Sequence, residues 1–496
     1  MTDFSDELER DEIYFRDRWQ FEQKYDFLPD PIVDQNDYTQ EFYFFIPNAL
    51  QINQNTYSSK QFYHDLTNLI RLKTPVFTLD ELADLSFHPS PLARIKALKN
   101  CRQTKKTIGK IEDELKLLGN VFRSAVRKRC QELSTILQQK RYDEFVLQTN
   151  ELCNALDLFL KVYETTRTDV TSNWDQPTIY EHFEYLTRFI HHCTDQYLIQ
   201  LLERVRSYEN ERLQKIDQRL TNFLLQTQSE ISLSSGQTEE EGERVVYTKS
   251  LLDKFFLNSL LLNIDHFSPK QKYQNIIGAI AAGIAMLIFS ILLMWQGQYF
   301  LIDSAPFIII TVVLYILKDR IKEWIRNATS HRHIGWISDY TTKIRSYDEK
   351  HTLGVLKEKF SFIAADEVPG EVTEIRNREF HTVVESFKRP ENIVYYQKKM
   401  RIFRKPSDLE TRRYMLNIIF RFNVRHFMDK ASNPFSPYSV LDEETQKLKV
   451  MSLPKVYHLN LIVKTTIEKG DRSAKVEHMK VRVVADKNGI KRIEYP

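Results

Sequence analysis

Hydrophobic residues fall along this 496-residue chain in three patterns, and each predicts a different element. The first alternates between steps of three and four. Ile111, Leu115, Leu118, Phe122 and Ala125 set it, and Phe183, Leu186, Ile190, Cys193, Tyr197, Leu201, Val205 and Tyr208 carry it on. That spacing is one face of a 3.6-residue helix. Leu213, Ile216, Leu220 and Phe223 resume it after one gap of five. Neither Gly nor Pro falls between Thr178 and Glu230, so the stretch from Lys105 to Thr227 predicts a helical bundle or coiled-coil arm. A break near Tyr208 or Gln214 is the alternative.

The second rhythm has period two. Phe420, Phe422 and Val424 alternate with Arg421, Asn423 and Arg425; Leu459 and Leu461 alternate with His458 and Asn460; Met479, Val481 and Val483 alternate with Lys480 and Arg482. Asn488-Gly489 follows, a two-residue turn signal between strands. These positions predict an antiparallel meander with one buried and one basic, solvated face. Further elements expected are a strand at Glu41–Ile46, short helices at Leu79–Leu85 and Leu92–Leu98, and a helix carrying Val372, Ile375, Phe380, Val383, Val384 and Phe387.

The third pattern is no rhythm at all. Ile276 to Trp295 is apolar on every side and carries no charge. At ~1.5 Å per residue such a helix covers roughly 30 Å, the thickness of bilayer hydrocarbon. After Gln296–Tyr299 a second run, Phe300 to Leu317, is interrupted only by Asp303, Ser304 and Pro306. The expectation is a two-span transmembrane hairpin, 276–295 and 300–317. Small residues at Gly278, Ala281, Ala282 and Ala285 would let helices approach within the membrane. Asp303 and Ser304 read as the cap of the second helix rather than as an ion-path carboxylate. Lys270 and Lys272 precede the first span, while Lys318, Arg320, Lys322, Arg326 and Arg332 follow the second. No Lys or Arg lies in the turn, so the positive-inside bias puts both termini in the cytoplasm, at a plasma or inner membrane. The same cations are expected to meet anionic lipid headgroups.

The fold class expected is therefore an α+β membrane protein with a long-helix N-terminal bundle, a transmembrane hairpin and a C-terminal α+β domain with an antiparallel meander. Its segments read as 1–100 mixed α/β, 101–231 helical arm, 232–247 acidic flexible loop, 248–275 juxtamembrane helix, 276–317 hairpin and 318–496 basic domain. Charge sharpens the division. Residues 1–270 hold 33 Lys/Arg against 42 Asp/Glu, and residues 318–496 hold 36 against 24, although the whole chain is only +3. The acidic opening decapeptide has no apolar run of the kind a cleavable signal needs. Cys101, Cys130, Cys153 and Cys193 lack metal or redox spacing and read as small apolar residues in a reducing compartment.

Chemistry is sparse. Twelve glycines in the whole chain argue against Gly-rich phosphate loops, and Gly109-Lys110 lacks the rest of a Walker motif. His64-Asp65 has the look of a metal-phosphohydrolase pair, but no histidine precedes it to complete the set. His191-His192-Cys193-Thr194-Asp195 holds metal-capable groups that adjacent helix positions point about 100° apart. His331-Arg332-His333 suits the headgroup region. Lys398, Lys399, Arg401, Arg404 and Lys405 near Tyr395, Tyr396 and Phe403 could bind nucleic acid, though a solvated strand face explains them more simply. No catalytic, cofactor or metal residue is assigned. The functional expectation is a membrane-anchored scaffold, interaction or sensing protein that binds anionic lipid, with a protein partner or self-association through the helical arm. A membrane-bound enzyme with a dispersed site and a membrane-tethered nucleic-acid effector are the alternatives.

Overall fold

The computed structural model describes residues 13–495 apart from 31, 175, 209, 228–238, 300–303, 334–336, 347–350, 379–389, 405–414, 442–446 and 471–473. The chain divides into two units that each draw on separated stretches rather than consecutive ones. One, the helical unit, is built mainly from Ile70–Leu261. The other, the sheet unit, combines Asp11–Leu69, Leu262–Leu409 and Ile418–Pro496.

In the helical unit, α2 (Leu79–Ala83) and α3 (Pro91–Ala97) lead into α4 (Lys105–Gln138), α5 (Tyr142–Asn173), α6 (Pro177–Arg206) and α7 (Glu211–Thr227); α1 (Ser59–Asp65) belongs to the sheet unit. The three-four stripes turn inward: Ile111, Leu115, Leu118 and Phe122 of α4 and Phe183, Leu186 and Ile190 of α6 are buried. Phe122 stacks on Phe159 of α5 at 4.8 Å, and Trp174 is fully buried with its indole N–H donating to the Lys99 carbonyl at 2.9 Å. Sequence periodicity favours one continuous helix from Thr178 onward, but the chain breaks between Arg206 and Glu211. Asn210 accepts from the Arg212 amide at 2.9 Å, a local side-chain bond that restarts the helix as α7. Next, α8 (Glu239–Leu257) occupies part of the expected acidic loop. The expected juxtamembrane helix ends early as well, because Asn263–Phe267 forms strand β5. Within α4, Gly119 lets α8 approach: a Cβ there would meet the Phe256 ring at 2.6 Å.

The sheet unit is organised by eight antiparallel strands in the order β14-β13-β12-β3-β8-β7-β6-β5. They are β3 (Gln35–Pro47), β5, β6 (Tyr340–Arg345), β7 (Thr352–Ile363), β8 (Glu391–Phe403), β12 (Tyr457–Lys469), β13 (Lys475–Asp486) and β14 (Gly489–Glu494). Near the centre lies β3, from the first fifty residues, paired with β8 on one edge and β12 on the other. Its run Phe42–Ile46 is buried on both faces, which is how a central strand reads in sequence. Phe42, Phe44 and Ile46 face a core shared with Phe21 of β2 (Gln20–Phe27) and Phe420 and Phe422 of β9 (Leu416–Asn423). Those two strands belong to a second sheet, ordered β1-β2-β9-β4 with β1 (Ile13–Phe15) and β4 (Leu66–Leu72). Tyr43 and Phe45 face the opposite way, where Val372 of α11 (Gly370–Asn377) covers them. The remainder of the helix expected across residues 372–387 lies outside the described residues. At the Asn488-Gly489 turn, Gly489 has φ +123°, and a Cβ would run into the Arg18 carbonyl oxygen.

Helix α1 is short and stands on its cap. Ser58 Oγ accepts from the Gln61 amide at 3.3 Å and Gln61 Oε1 accepts from the Ser58 amide at 2.8 Å. Such a capping box stabilises by about 1 kcal/mol. Ser58→Ala is therefore expected to lower the unfolding free energy measured in urea by that amount, and a variant as stable as the parent would show that α1 is held by burial of Phe62 alone.

The expected two-span membrane fold is corrected by the helices themselves. α9 (Pro269–Tyr299) contains the stretch Lys272–Tyr299, the one described helix long and apolar enough to cross a membrane. α10 (Ala305–His333) does not qualify: it starts only at Ala305 and meets Lys318, Asp319 and Arg320 in mid-course. Its uncharged part, Ala305–Leu317, reaches roughly 20 Å at 1.5 Å per residue, short of the ~30 Å hydrocarbon layer. The architecture is mixed α/β with large antiparallel sheets, not a two-span hairpin between separate cytoplasmic domains.

Candidate functional site

α9 and α10 pack as an antiparallel pair. Gln296 Nε2 donates to the Phe307 carbonyl at 2.7 Å and to Thr311 Oγ1 at 3.2 Å, while Phe289 meets Tyr315 edge-on at 6.4 Å. The inner face of α9 carries Ala281, Ala285 and Gln296, all buried. Of the other small residues named above, Ala282 is half-buried beside that seam and Gly278 has open space around it. Away from the seam, Ile280, Ile284, Leu287, Ile291 and Met294 form an exposed stripe at steps of four, three, four and three. Trp295 and Tyr299 are exposed at the far end, and Ile308, Ile309, Val312, Val313 and Ile316 are exposed on α10. Ser304 caps α10, its hydroxyl accepting from the Phe307 amide at 3.4 Å; Asp303 lies outside the described residues.

The flanking cations are not all free to meet lipid. Lys270 Nζ lies 3.0 Å from Oδ1 of the buried Asp339, whose other oxygen accepts from the Phe360 amide at 2.7 Å and the Tyr63 hydroxyl at 3.2 Å. Burial and the Asp339 charge push the Tyr63 phenol far up, so it stays a donor. Lys318 lies 3.7 Å from the Tyr315 ring centroid, a cation–π contact, and Arg320 pairs with Glu323 at 3.4 Å. Lys272, Lys322 and Arg326 are exposed. Arg332 lies in the last turns of α10, and the side chains of His331-Arg332-His333 are outside the described residues.

A second constellation surrounds α1. Asp65 is the last residue of that helix, three positions after the buried Phe62, so its carboxylate points inward with a side chain only 2 % exposed. Oδ2 accepts from the Tyr57 hydroxyl at 2.7 Å. Burial and the Asp65 charge hold the Tyr57 phenol well above its usual range, fixing it as the donor. Oδ1 lies 2.6 Å from Nδ1 of His426 and 3.6 Å from Nδ1 of His64. His426 is carried by a single helical turn, Arg425–Met428, anchored by the buried Phe427 and Met428 and opened by an Asn423 side chain that accepts from the Arg425 amide. One ligand atom from each of His64, Asp65 and His426 lies within 4.8 Å of the others. His64-Asp65 was set aside in sequence for want of a preceding histidine; its companion instead follows it by 361 residues. The one local signal was a carboxylate placed between the buried Phe62 and Leu66.

A third group is wholly enclosed. Glu358 of β7, Lys398 of β8 and Gln40 of β3 are register partners on adjacent strands. Glu358 Oε1 accepts from the Tyr396 hydroxyl at 2.6 Å and from Asn68 Nδ2 at 2.7 Å. The Lys398 ammonium lies 4.9 Å from the Phe42 ring and 5.2 Å from the Phe420 ring. Burial lowers it from its ordinary 10.5 to about 7, with the Glu358 charge opposing the shift. Other cations of the supposed nucleic-acid patch are scattered too. Arg401 forms a two-pronged pair with Asp37 at 2.7 and 3.0 Å, Arg404 pairs with Asp34 at 3.3 Å, Lys399 is exposed, and Lys405 lies outside the described residues. Buried Cys130 and Cys193 are raised to about 12 and Cys153 to about 11, mainly by burial, which leaves them as unreactive thiols. Cys193 turns into the core while His191 and His192 beside it are half-buried. In the helical unit, a cleft of about 580 Å³ between the Val76–Asp80 segment, α4 and α5 holds Arg129, already engaged by Glu132 at 3.2 Å and Glu151 at 3.3 Å.

No protein family, curated sequence or solved structure matches this chain. Function is argued from the site alone.

Proposed function

We propose that the protein is a membrane-attached scaffold or interaction protein, held to a bilayer by α9. The observation that carries this reading is the apolar stretch Lys272–Tyr299, of which only 11 % is buried. A face that size is costly in water, at about 25 cal/mol per Å² of apolar surface, and acyl chains relieve that cost. β5 leads into α9 and β6 follows α10, and the two strands pair in one sheet. α10 packs along α9 without being long enough to cross, so α9 alone is the attachment element. The exposed Lys272, Lys322 and Arg326 favour the anionic cytoplasmic leaflet of a plasma or inner membrane. Protein partners, or a second copy, would then be engaged by the long helices α4–α7, whose lengths of 34, 32, 30 and 17 residues give an extended surface.

The test is flotation of the full chain with phosphatidylcholine–phosphatidylserine vesicles, followed by carbonate washing at high pH. Retention through the wash is expected. Release into the wash, or failure to float, sinks the reading. Crosslinking in intact membranes with mass spectrometry then reports the neighbours that a scaffold must have.

A further inference from the structure

We propose that His64, Asp65 and His426 form a binding site for one divalent transition-metal ion of the zinc type. The three side chains converge from two distant segments on a common point, with one donor atom each inside 4.8 Å. Two imidazoles and a carboxylate are the donor set that first-row divalent ions take when they keep an open coordination position. Asp65 supplies the fixed corner. It is buried, and its remote oxygen is held by the Tyr57 hydroxyl at 2.7 Å, the outer-sphere hydrogen bond that orients a ligating carboxylate.

Both histidines reach that corner from the solvent side, with side chains 80 % exposed for His64 and 38 % for His426. An ion can enter there without opening the core. Ligand atoms about 2.0 Å from a tetrahedral ion lie roughly 3.3 Å apart. His426 Nδ1, now 2.6 Å from Asp65 Oδ1, would move out by less than an ångström, and His64 Nδ1, at 3.6 Å, would move in by less. The ion replaces the His426–Asp65 hydrogen bond with two bonds to itself. The fourth position faces water, so the site takes a small exchangeable ligand and is built for binding or Lewis-acid chemistry rather than for closed structural ligation. This assignment rests on the sheet unit alone and does not depend on membrane attachment.

The experiment titrates the purified full chain with Zn²⁺ by calorimetry and with Co²⁺ by visible absorption, using His64→Ala, His426→Ala and Asp65→Asn variants. One equivalent is expected, with a four- or five-coordinate Co²⁺ spectrum. His64→Ala and His426→Ala are each expected to weaken binding at least tenfold. Asp65→Asn removes a buried charge and could unfold the chain, so the exposed His64 decides the matter: its loss leaves the metal-free melting curve unchanged. If affinity and spectrum are the same in His64→Ala as in the parent, or if no ion binds at 100 µM, the assignment is overturned. Binding that survives in both histidine variants marks another surface site and overturns it equally.

Discussion

Replacing Leu287 by arginine is expected to reduce vesicle binding of the full chain by roughly 100-fold. Leu287 is 62 % exposed near the middle of the stretch Lys272–Tyr299, on the stripe formed with Ile280, Ile284 and Ile291. An arginine at the centre of a membrane-inserted helix costs about 2.5–3.5 kcal/mol, and each 1.4 kcal/mol is a factor of ten. The matched control is Leu225→Arg on α7, where leucine is 67 % exposed but lies outside the helix pair. That change should leave binding within a factor of two or three of the parent. Flotation against vesicle concentration reads both. Equal binding by the two variants would remove α9 as the attachment element, whatever else the chain does at a membrane.

The second large effect concerns Lys398, and its signature is a pH slope. In the fold its ammonium titrates at about 7 instead of 10.5. Between those values the unfolded chain keeps a proton that the folded chain has released. The unfolded state then binds more protons, so stability rises with pH across this window, by up to about 1.4 kcal/mol per unit. Below pH 7 both states are charged and the full cost of burying the ammonium is present. Lys398→Met removes both the cost and the slope. The variant's stability is expected to stay level where the parent's falls, so the difference between them moves in the variant's favour by about 2–4 kcal/mol from pH 10 to pH 6. Glu358 is not stranded by the change, because the Tyr396 hydroxyl and Asn68 amide still donate to it. Urea unfolding at pH 6, 8 and 9.5 measures the difference. Parallel slopes for parent and variant would mean that Lys398 keeps its ordinary proton affinity.

Lys398 also shows where local pattern stops being informative. Read as a charge run, Lys398-Lys399-Met400-Arg401 looks like a solvated face. Strand parity contradicts that, since Val394, Tyr396, Lys398 and Met400 share one side and the three apolar members are buried. The period-two stretches around 420–424, 458–461 and 479–483 lie in β9, β12 and β13, because alternation is a local property. Their partners were invisible. The register of β3 with β12 depends on residues more than 400 positions apart, and nothing within either strand encodes it. A separation of 361 positions likewise hid His426 from Asp65. At the membrane segment the error was one of counting: the second span is reckoned from Phe300, whereas α10 begins at Ala305, with Pro306 in its first turn, and its uncharged part is too short. The 207–210 break was legible only in the spacing of five, which periodicity alone could not tell from a slip in register.

The position of β3 sets a schedule for biosynthesis. Its neighbours β8 and β12 are made some 340 to 430 residues after it, at Glu391–Phe403 and Tyr457–Lys469. At about 5–20 residues per second the ribosome needs roughly 20–80 s to supply them. The greasy segment of α9 emerges well inside that delay, when β3 has no strand to lie against. Delivery to a lipid surface can thus precede closure of the sheet, and the nascent Phe42–Ile46 run stays without its neighbouring strands until translation is nearly complete.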